Sequence, residues 1–285
     1  MKLPTDANLA ELQRAILQQL QPDREDASTS ILALLARVLQ KPKTWVLAHP
    51  EAHLNPAEHE KLSQLVQRFA LGEPLPYLTG TQEFFGLAFK VSPAVLIPRP
   101  ETELLVEQAL AWLQNLESSA SMLDVGTGSG CIALTLASMV PGLCVTASDL
   151  SADALAIARE NARELHVSGR VTFLQADLIP DTLPKFDLIC ANLPYIPTRK
   201  LSAVNSIAFE PETALDGGPD GLRLLRRFFS QAPVHLQPQG LLLAETEADL
   251  GTETLALARE NFPDARVDLL KDLNRRERLV RVELV

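Results

Sequence analysis

Residues 186–197 read FDLICANLPYIP, and the prediction of the fold starts from them. This stretch begins as a short, continuous apolar run, which is typical of a strand buried in a parallel sheet. Pro194 has no N–H to donate and fixes φ, so the strand has to end there, and Leu193 before it is restricted to extended backbone. A stiff loop is therefore predicted at the carboxyl end of this strand, where open α/β sheets bind ligands. The amide of Asn192, the backbone carbonyls and the ring of Tyr195 could bind a planar polar group there.

Strands and helices alternate on both sides of this strand, from Met122 to the end of the chain. The predicted strands are 122–125, 144–148, 171–175, 186–191, 240–245, 266–270 and 279–284, and the predicted helices are 131–139, 152–165, 221–229 and 252–261. This alternation predicts an α/β fold with a doubly wound, mostly parallel sheet. The last two strands have no room for a helix between them and are predicted to form an antiparallel hairpin.

The sequence before Met122 has a different pattern. Apolar residues at helical spacing predict helices at about 9–20, 31–39 and 56–70, with Asp6 or Asn8 as a cap of the first. Two short strands at 83–85 and 88–91 with Gly86 near the turn predict a β-hairpin, built on Phe84, Phe85 and Phe89. Pro100 is well placed to begin a helix that extends to about Leu116. We predict a helical domain at 1–75, a hairpin linker at 76–98 and a second domain at 99–285.

Composition excludes several classes of protein. The 285 residues are 46% hydrophobic and 22% charged, and the formal net charge is -10, with nearly all the acidic excess after Pro98. Stable nucleic-acid binding is disfavoured, because proteins that coat phosphate backbones are usually basic. Residues 1–20 are polar and amphipathic and do not resemble the hydrophobic region of a signal peptide, and no apolar run reaches the roughly 20 residues that span a bilayer. Cys131, Cys144 and Cys190 lack metal-ligand spacing and are predicted to be core residues in a reducing compartment, the cytoplasm. His49, His53 and His59 are expected to be surface or packing residues.

A glycine-rich loop follows the first strand of the alternating region. It reads LDVGTGSG over residues 123–130 and opens the next helix. Glycines allow a tight turn and a close approach to a ligand, although such a loop can also be only a structural turn. Its spacing fits a nicotinamide cofactor or S-adenosylmethionine. Asp124 favours the second, because a carboxylate would repel a pyrophosphate but attract an ammonium or sulfonium group.

Two further acidic residues follow neighbouring strands. Asp149 ends the second strand, a position suited to binding ribose hydroxyls. Asp177 follows the third strand with Leu178 beside it, and it could contact adenine or only cap a helix. The order of these features is similar to that of class I S-adenosylmethionine-dependent methyltransferases that methylate amino groups.

Four more stretches make the resemblance more specific. They are YLTG at 77–80, IPRPETE at 97–103, FEPETALDGGPDGL at 209–222 and KDL at 271–273. With the helical front end, they resemble the release factor glutamine methyltransferase family over essentially the whole chain. That resemblance implies a Rossmann-like methyltransferase domain with a seven-stranded sheet, a small N-terminal all-α domain and a β-hairpin between them.

The resemblance also implies an activity, partners and a site. The family transfers a methyl group from S-adenosylmethionine, leaving S-adenosylhomocysteine, to the side-chain amide nitrogen of the glutamine in the Gly-Gly-Gln motif of class 1 release factors. No metal is needed, and a monomer is expected. The predicted catalytic residues are Asn192, Pro194 and Tyr195, and the substrate-binding residues are Asn192, Leu193, Pro194 and Tyr195. The predicted cofactor-binding residues are Asp124, Gly126, Thr127, Gly128, Ser129, Gly130, Asp149, Asp177, Leu178 and Asn192.

Two departures from the family pattern keep alternatives open. Leu193 stands where a proline is usual, and Asn-Leu-Pro-Tyr is also the form found in adenine dimethyltransferases of ribosomal RNA. A glycine usually follows Glu245 closely, whereas this chain reads Glu245-Thr246-Glu247. The alternatives are adenine methylation of RNA or DNA, methylation of a glutamine in a large-subunit ribosomal protein, and a noncatalytic cofactor-binding protein. Arg99 and Glu210 are expected to brace the pocket, each through an internal salt bridge.

Overall fold

The structure, a computed structural model, describes residues 3–20, 27–116, 119–201 and 208–284. The chain divides into two units, Met1–Gly80 and Thr81–Val285. The division lies within the segment predicted to be the hairpin linker, whose first residues form a helix of the first unit. Each unit has its own hydrophobic core. Among the described residues, no helix is both long and apolar enough to cross a bilayer.

The first unit is helical, as its apolar spacing predicts. Its helices are α1 (Leu9–Gln19), α2 (Ala27–Leu39), α3 (Lys43–Ala48), α4 (Pro56–Ala70) and α5 (Leu75–Thr79). Asn8 caps α1, because its side chain accepts from Glu11 N at 3.0 Å while the Glu11 carboxylate accepts from Asn8 N. Helix α2 begins before the predicted Ile31. Helices α3 and α5 were not predicted, since five or six residues hold too little of the helical period to be recognised.

The hairpin consists of β1 (Thr81–Phe84) and β2 (Leu87–Lys90) and belongs to the second unit. Phe85 and Gly86 connect the strands with φ of 51° and 73°, the two positive values that a type I′ turn requires. Phe84 and Phe89 are buried in the core of the second unit, as predicted, and Phe85 is half-buried against it. The hairpin is therefore part of the second unit's packing.

A seven-stranded sheet forms the centre of the second unit. Its strands are β3 (Ser121–Val125), β4 (Cys144–Asp149), β5 (Val171–Gln175), β6 (Phe186–Ala191), β7 (Leu236–Glu245), β8 (Arg266–Lys271) and β9 (Glu277–Glu283). The helices of this unit are α6 (Glu103–Leu113), α7 (Cys131–Met139), α8 (Ala152–Glu164), α9 (Thr198–Leu201), α10 (Arg223–Gln231) and α11 (Gly251–Asn261). Two clusters of buried apolar side chains contain alternating residues of the central strands, so both faces of the sheet are covered.

The order of the strands decides where a ligand can bind. It is β5-β4-β3-β6-β7-β9-β8, with β3 to β7 parallel and β9 antiparallel to both of its neighbours. The predicted fold class is confirmed. The chain runs outward from β3 through β4 to β5 and then returns to β6 on the other side of β3. Val125 pairs with Ala191 in this parallel register, so the loops that begin at Gly126 and Asn192 leave the sheet side by side.

Some local predictions are wrong for identifiable reasons. Helix α10 begins at Arg223, since Gly221 has a φ of 84° that no α-helix accommodates. Pro100 begins a 3₁₀ turn that leads into α6, and that helix ends at Leu113. Cys190 is buried as predicted, but Cys144 is exposed because it is the first residue of β4, at the end of the sheet.

Replacing Leu242 with alanine tests the packing of the sheet. Leu242 is fully buried in β7. We expect Leu242→Ala to lower the free energy of unfolding of the second unit by about 2–5 kcal/mol, because a close-packed interior cannot fill the cavity. Chemical denaturation followed by circular dichroism would measure it. Leu273→Ala is the control, as Leu273 is fully exposed between β8 and β9. Equal losses in the two variants would contradict the assignment of Leu242 to the core.

Candidate functional site

A cavity of about 370 Å³ lies at the carboxyl ends of β3, β4, β5 and β6. This volume is in the range of small-molecule sites. Four loops that follow these strands line it, together with two segments from outside the sheet. The lining residues used below are Arg99, Thr102, Gly126, Thr127, Gly128, Ser129, Asp149, Asp177, Leu178, Asn192, Leu193, Pro194 and Pro211.

The glycine-rich loop after β3 is shaped by its glycines. Gly126 and Gly128 have φ of 74° and 56°, values that residues with a side chain rarely adopt. A Cβ atom at position 126 would lie 3.1 Å from Leu193 Cδ2, whereas one at position 128 would meet no atom within 4 Å. The backbone of Gly128 therefore borders open space, where a ligand can approach it closely.

Asp149 lies beside the same glycine-rich loop and is hydrogen-bonded to it. Its carboxylate accepts one hydrogen bond from Gly128 N at 2.8 Å and another from Ser151 N at 2.9 Å. Burial raises the pKa of this carboxyl, and the two backbone donors offset part of that rise. Each oxygen keeps a free lone pair, so the ionised group can accept from two hydroxyls of a ribose. The residues around this part of the cavity thus fit S-adenosylmethionine.

Asp124 does not line the cavity, so the predicted contact with the cofactor's charged end is not supported. Its carboxylate is fully buried below the loop and accepts from the Thr127 hydroxyl at 2.6 Å. Burial raises its pKa to about 7, although Thr127 acts in the opposite direction. Its other oxygen, Oδ1, has no hydrogen-bond partner among the described residues. Asp124 therefore fixes the conformation of the loop from beneath.

Asp177 and Leu178 line the far end of the cavity. No helix begins at Asp177, so the capping role is ruled out for this described segment. Its carboxylate forms an ion pair with Arg227 of α10 at 2.8 Å, and both side chains are about half exposed. Leu178 is buried and has a φ of 63°. A leucine in the left-handed region costs energy, and such strain is common beside ligands.

The loop after β6 presents Asn192, Leu193 and Pro194 to the cavity. Asn192 Nδ2 donates to Thr102 Oγ1 at 3.1 Å, which leaves the Asn192 side-chain oxygen free to accept. Leu193 is buried and packs against Gly126. The loop therefore combines one amide acceptor with backbone carbonyls that have no strand to pair with.

Tyr195 does not line the cavity, so the predicted packing on a flat substrate group is not supported. Its hydroxyl donates to Glu245 Oε1 at 3.3 Å, behind the loop. Burial and the charge of Glu245 raise the pKa of this phenol above its ordinary value. Tyr195 thus anchors the loop to the end of β7.

The loop at residues 215–221 holds the loop after β6 in place through close backbone contacts. Ile196 N donates to Leu215 O at 3.0 Å, and Gly217 N donates to Ile196 O at 2.9 Å. A Cβ atom at Gly221 would lie 2.4 Å from the carbonyl oxygen of Tyr195. Only glycine fits there, which explains part of the GGPDG run at 217–221.

Glu210 ties together the two segments from outside the sheet. It is 8% exposed, its predicted internal salt bridge is formed with Arg99, and its Oε2 accepts from Ile97 N at 3.2 Å. Arg99 and Pro211 line the cavity on either side of this bridge. The bridge braces the pocket, as predicted.

Sequence reasoning missed Thr102 and Glu245 as parts of the site. Thr102 was visible only as a member of the IPRPETE stretch, and Glu245 only as the last residue of a strand. Both reach the site through tertiary packing, because neither is near Asn192 in the sequence.

Comparison with known proteins agrees with this geometry. The family model "Methyltransferase small domain" matches residues 102–268, and "PrmC N-terminal domain" matches residues 11–80. The solved structure of a methyltransferase from Pyrococcus furiosus is 17% identical, with a TM-score of 0.53, over 78% of this chain and 98% of that chain. It is similar in fold alone.

Curated relatives are much more similar in sequence. The release factor glutamine methyltransferase of Moorella thermoacetica is 44% identical over 258 residues, which are 90% of each chain. That of Bordetella pertussis is 42% identical over 231 residues, 80% of this chain and 84% of the relative. With this identity across both units, the chain belongs to the release factor glutamine methyltransferase family.

Proposed function

We propose that this protein transfers a methyl group from S-adenosylmethionine to the side-chain amide nitrogen of the glutamine in the Gly-Gly-Gln motif of a class 1 release factor. The observation that carries the proposal is that the Asn192 side-chain oxygen is free to accept a hydrogen bond and that Asn192 lines the same cavity as the glycine-rich loop. Family membership supports glutamine as the residue that is modified.

The cofactor end of the cavity lies along the glycine-rich loop. We assign Gly126, Gly128, Asp149 and the Asp177–Leu178 segment to cofactor binding, with Asp149 accepting from ribose hydroxyls. S-adenosylmethionine, when bound, supplies an electrophilic methyl group on its sulfonium. The chain's own task is to hold the acceptor nitrogen in line with that group.

The substrate end lies at Asn192 and Pro194. An amide nitrogen is a poor nucleophile, because its lone pair is delocalised into the carbonyl. We assign the Asn192 oxygen and a backbone carbonyl in Leu193–Pro194 to accept hydrogen bonds from the two amide hydrogens. Orientation of this kind can supply about 7–11 kcal/mol of a barrier. The same acceptors become stronger as positive charge develops on the nitrogen, and the methylated nitrogen then loses one proton to water.

Adenine is the second candidate substrate, because its exocyclic amine has the same planar geometry with two hydrogens and Leu193 matches adenine methyltransferases. The net charge of -10 argues against a nucleic-acid substrate.

We also propose a monomeric protein in the cytoplasm that binds release factors and has no stable contact with nucleic acid. A glutamine in a ribosomal protein remains the closest alternative.

A labelling experiment separates these substrates. Incubation with methyl-labelled S-adenosylmethionine should place label on a class 1 release factor and none on its Gln→Ala variant. Ribosomal RNA and large-subunit ribosomal proteins are the competing acceptors. Label on RNA or on a ribosomal protein, with none on the release factor, would overturn the proposal.

Asn192→Ala removes the proposed amide acceptor. We expect kcat to fall by about 10²–10³-fold, the usual effect of deleting one preorganised polar group from an active site. The dissociation constant for S-adenosylmethionine should stay close to the wild-type value, and calorimetry would measure it. Asn274→Ala at an exposed position is the matched control. Normal turnover by Asn192→Ala would exclude the acceptor role.

Asp149→Ala removes the proposed ribose acceptor. We expect the dissociation constant for S-adenosylmethionine to rise by about 10- to 100-fold, because hydrogen bonds to a charged group are strong. Calorimetric titration with the cofactor would show the change, and Asp181→Ala, at an exposed position, is the control. Unchanged affinity in Asp149→Ala would refute the ribose assignment.

A further inference from the structure

The side chain of Asn161, in α8, lies between the β-hairpin and the glycine-rich loop. It is 1% exposed. Its Oδ1 accepts from Lys90 N at 2.7 Å, and its Nδ2 donates to Lys90 O at 3.1 Å and to Ser129 O at 2.8 Å. An amide NH₂ carries two hydrogens, and each of them has an acceptor here. These partners also fix the orientation of the amide, because the backbone N–H needs an oxygen and the two carbonyls need the NH₂.

On one side, Asn161 binds the end of the hairpin. Lys90 is the last residue of β2, and Asn161 binds both its N–H and its C=O, as the backbone of a neighbouring strand would. Lys90 Nζ also forms ion pairs with Glu164 at 2.6 Å and Glu160 at 3.4 Å. These side chains are partly exposed, so the ion pairs contribute little to stability. The buried amide is therefore the main polar contact between the hairpin and α8.

On the other side, Asn161 holds a peptide group of the glycine-rich loop. The carbonyl of Ser129 accepts from Asn161, and the N–H of the same peptide group, on Gly130, donates to Thr127 O at 2.8 Å. Rotation of this peptide group would break both hydrogen bonds. Gly130 also packs on α8, because a Cβ atom there would lie 3.4 Å from Ala158 Cβ. The second half of the loop therefore depends on α8 for its conformation.

The two partners of Asn161 belong to different walls of the cavity. Ser129 lines the cavity directly, and the chain that follows Lys90 lines it at several positions from Ala94 to Thr102. Asn161 and Lys90 do not line the cavity themselves. One buried side chain thus connects the two walls from behind.

We propose that Asn161 is a positioning residue for the cofactor, which holds the glycine-rich loop and the segment after the hairpin at the spacing that the cofactor requires. The proposal rests on the proposed function, which assigns this loop to cofactor binding. A site that is already in its binding conformation loses less freedom when the ligand binds. Without the amide, part of the binding energy would be used to order the loop, so the affinity for the cofactor would fall.

Substitution of Asn161 tests this role. Asn161→Ala removes all three hydrogen bonds, and Asn161→Asp keeps the acceptor for Lys90 N but loses the NH₂ that the two carbonyls need. We expect the dissociation constant for S-adenosylmethionine to rise by about 10- to 100-fold in each variant, because buried backbone groups lose their partners. At saturating cofactor and release factor, kcat should stay close to the wild-type value, because the bound cofactor restores the loop. Calorimetry and initial-rate kinetics would measure the two constants.

Two controls separate positioning from a general loss of stability. Asn261→Ala is the matched control, because the Asn261 amide donates to Leu257 within its own helix, α11. Leu242→Ala is a destabilised core variant. Both should bind the cofactor with wild-type affinity. Wild-type affinity in folded Asn161→Ala, or an equal loss of affinity in Leu242→Ala, would overturn the proposal.

Amide hydrogen exchange of the wild-type protein tests the same coupling without a substitution. Because coupling is reciprocal, saturating S-adenosylhomocysteine should slow exchange at Lys90 N by about tenfold more than at Val267 N in β8. Val267 reports the general stabilisation that any bound ligand gives. Equal slowing at the two amides would refute the proposal, even if neither Asn161 variant folds. Wild-type protein that binds the cofactor without methylating the release factor would instead reject the proposed function, so the two failures are distinguishable.

Discussion

The pairing of β6 with β3 sets the geometry of the whole site. In a parallel sheet, the carboxyl ends of the strands lie at one edge. The loops that follow two neighbouring strands go to opposite faces of the sheet where the strand order reverses. Here the reversal lies between β3 and β6. The glycine loop at Gly126 and the polar loop at Asn192 therefore begin from paired positions. A methyl donor and a methyl acceptor can meet at this point without any movement of the sheet.

Two buried acids show how the core supports this edge. Asp124 and Glu245 are both fully buried at the ends of strands, and burial raises the pKa of each to about 7. A buried acid with few partners is costly in free energy. Each accepts a hydrogen bond from the hydroxyl group of a loop residue, Asp124 from Thr127 and Glu245 from Tyr195. Neither acid lines the cavity, so the role of each is to orient the neighbouring loop residues.

Rigid backbone contact completes the site. The backbone of Tyr195 is in close contact with the loop that contains Gly217 and Gly221. A side chain at either glycine would overlap the backbone of Tyr195. The conformation of the substrate loop is thus determined from three directions, by Thr102, by Glu245 and by these glycines. This restriction suits a reaction whose barrier is lowered by the orientation of the nucleophile.

The sheet, its strands and the placement of Gly126, Asp149 and Asn192 at one edge could all be predicted from the sequence, because strand periodicity and the restrictions of proline are local properties of the chain. The sequence also indicated that Arg99 and Glu210 each form an internal salt bridge, and the structure pairs them with each other. The positions of Asp124 and Tyr195 behind the site, and the support that Thr102 and Glu245 give to it, became visible only in the folded structure. Burial and hydrogen-bond partners depend on residues far apart in the sequence, and neither periodicity nor motif spacing records them.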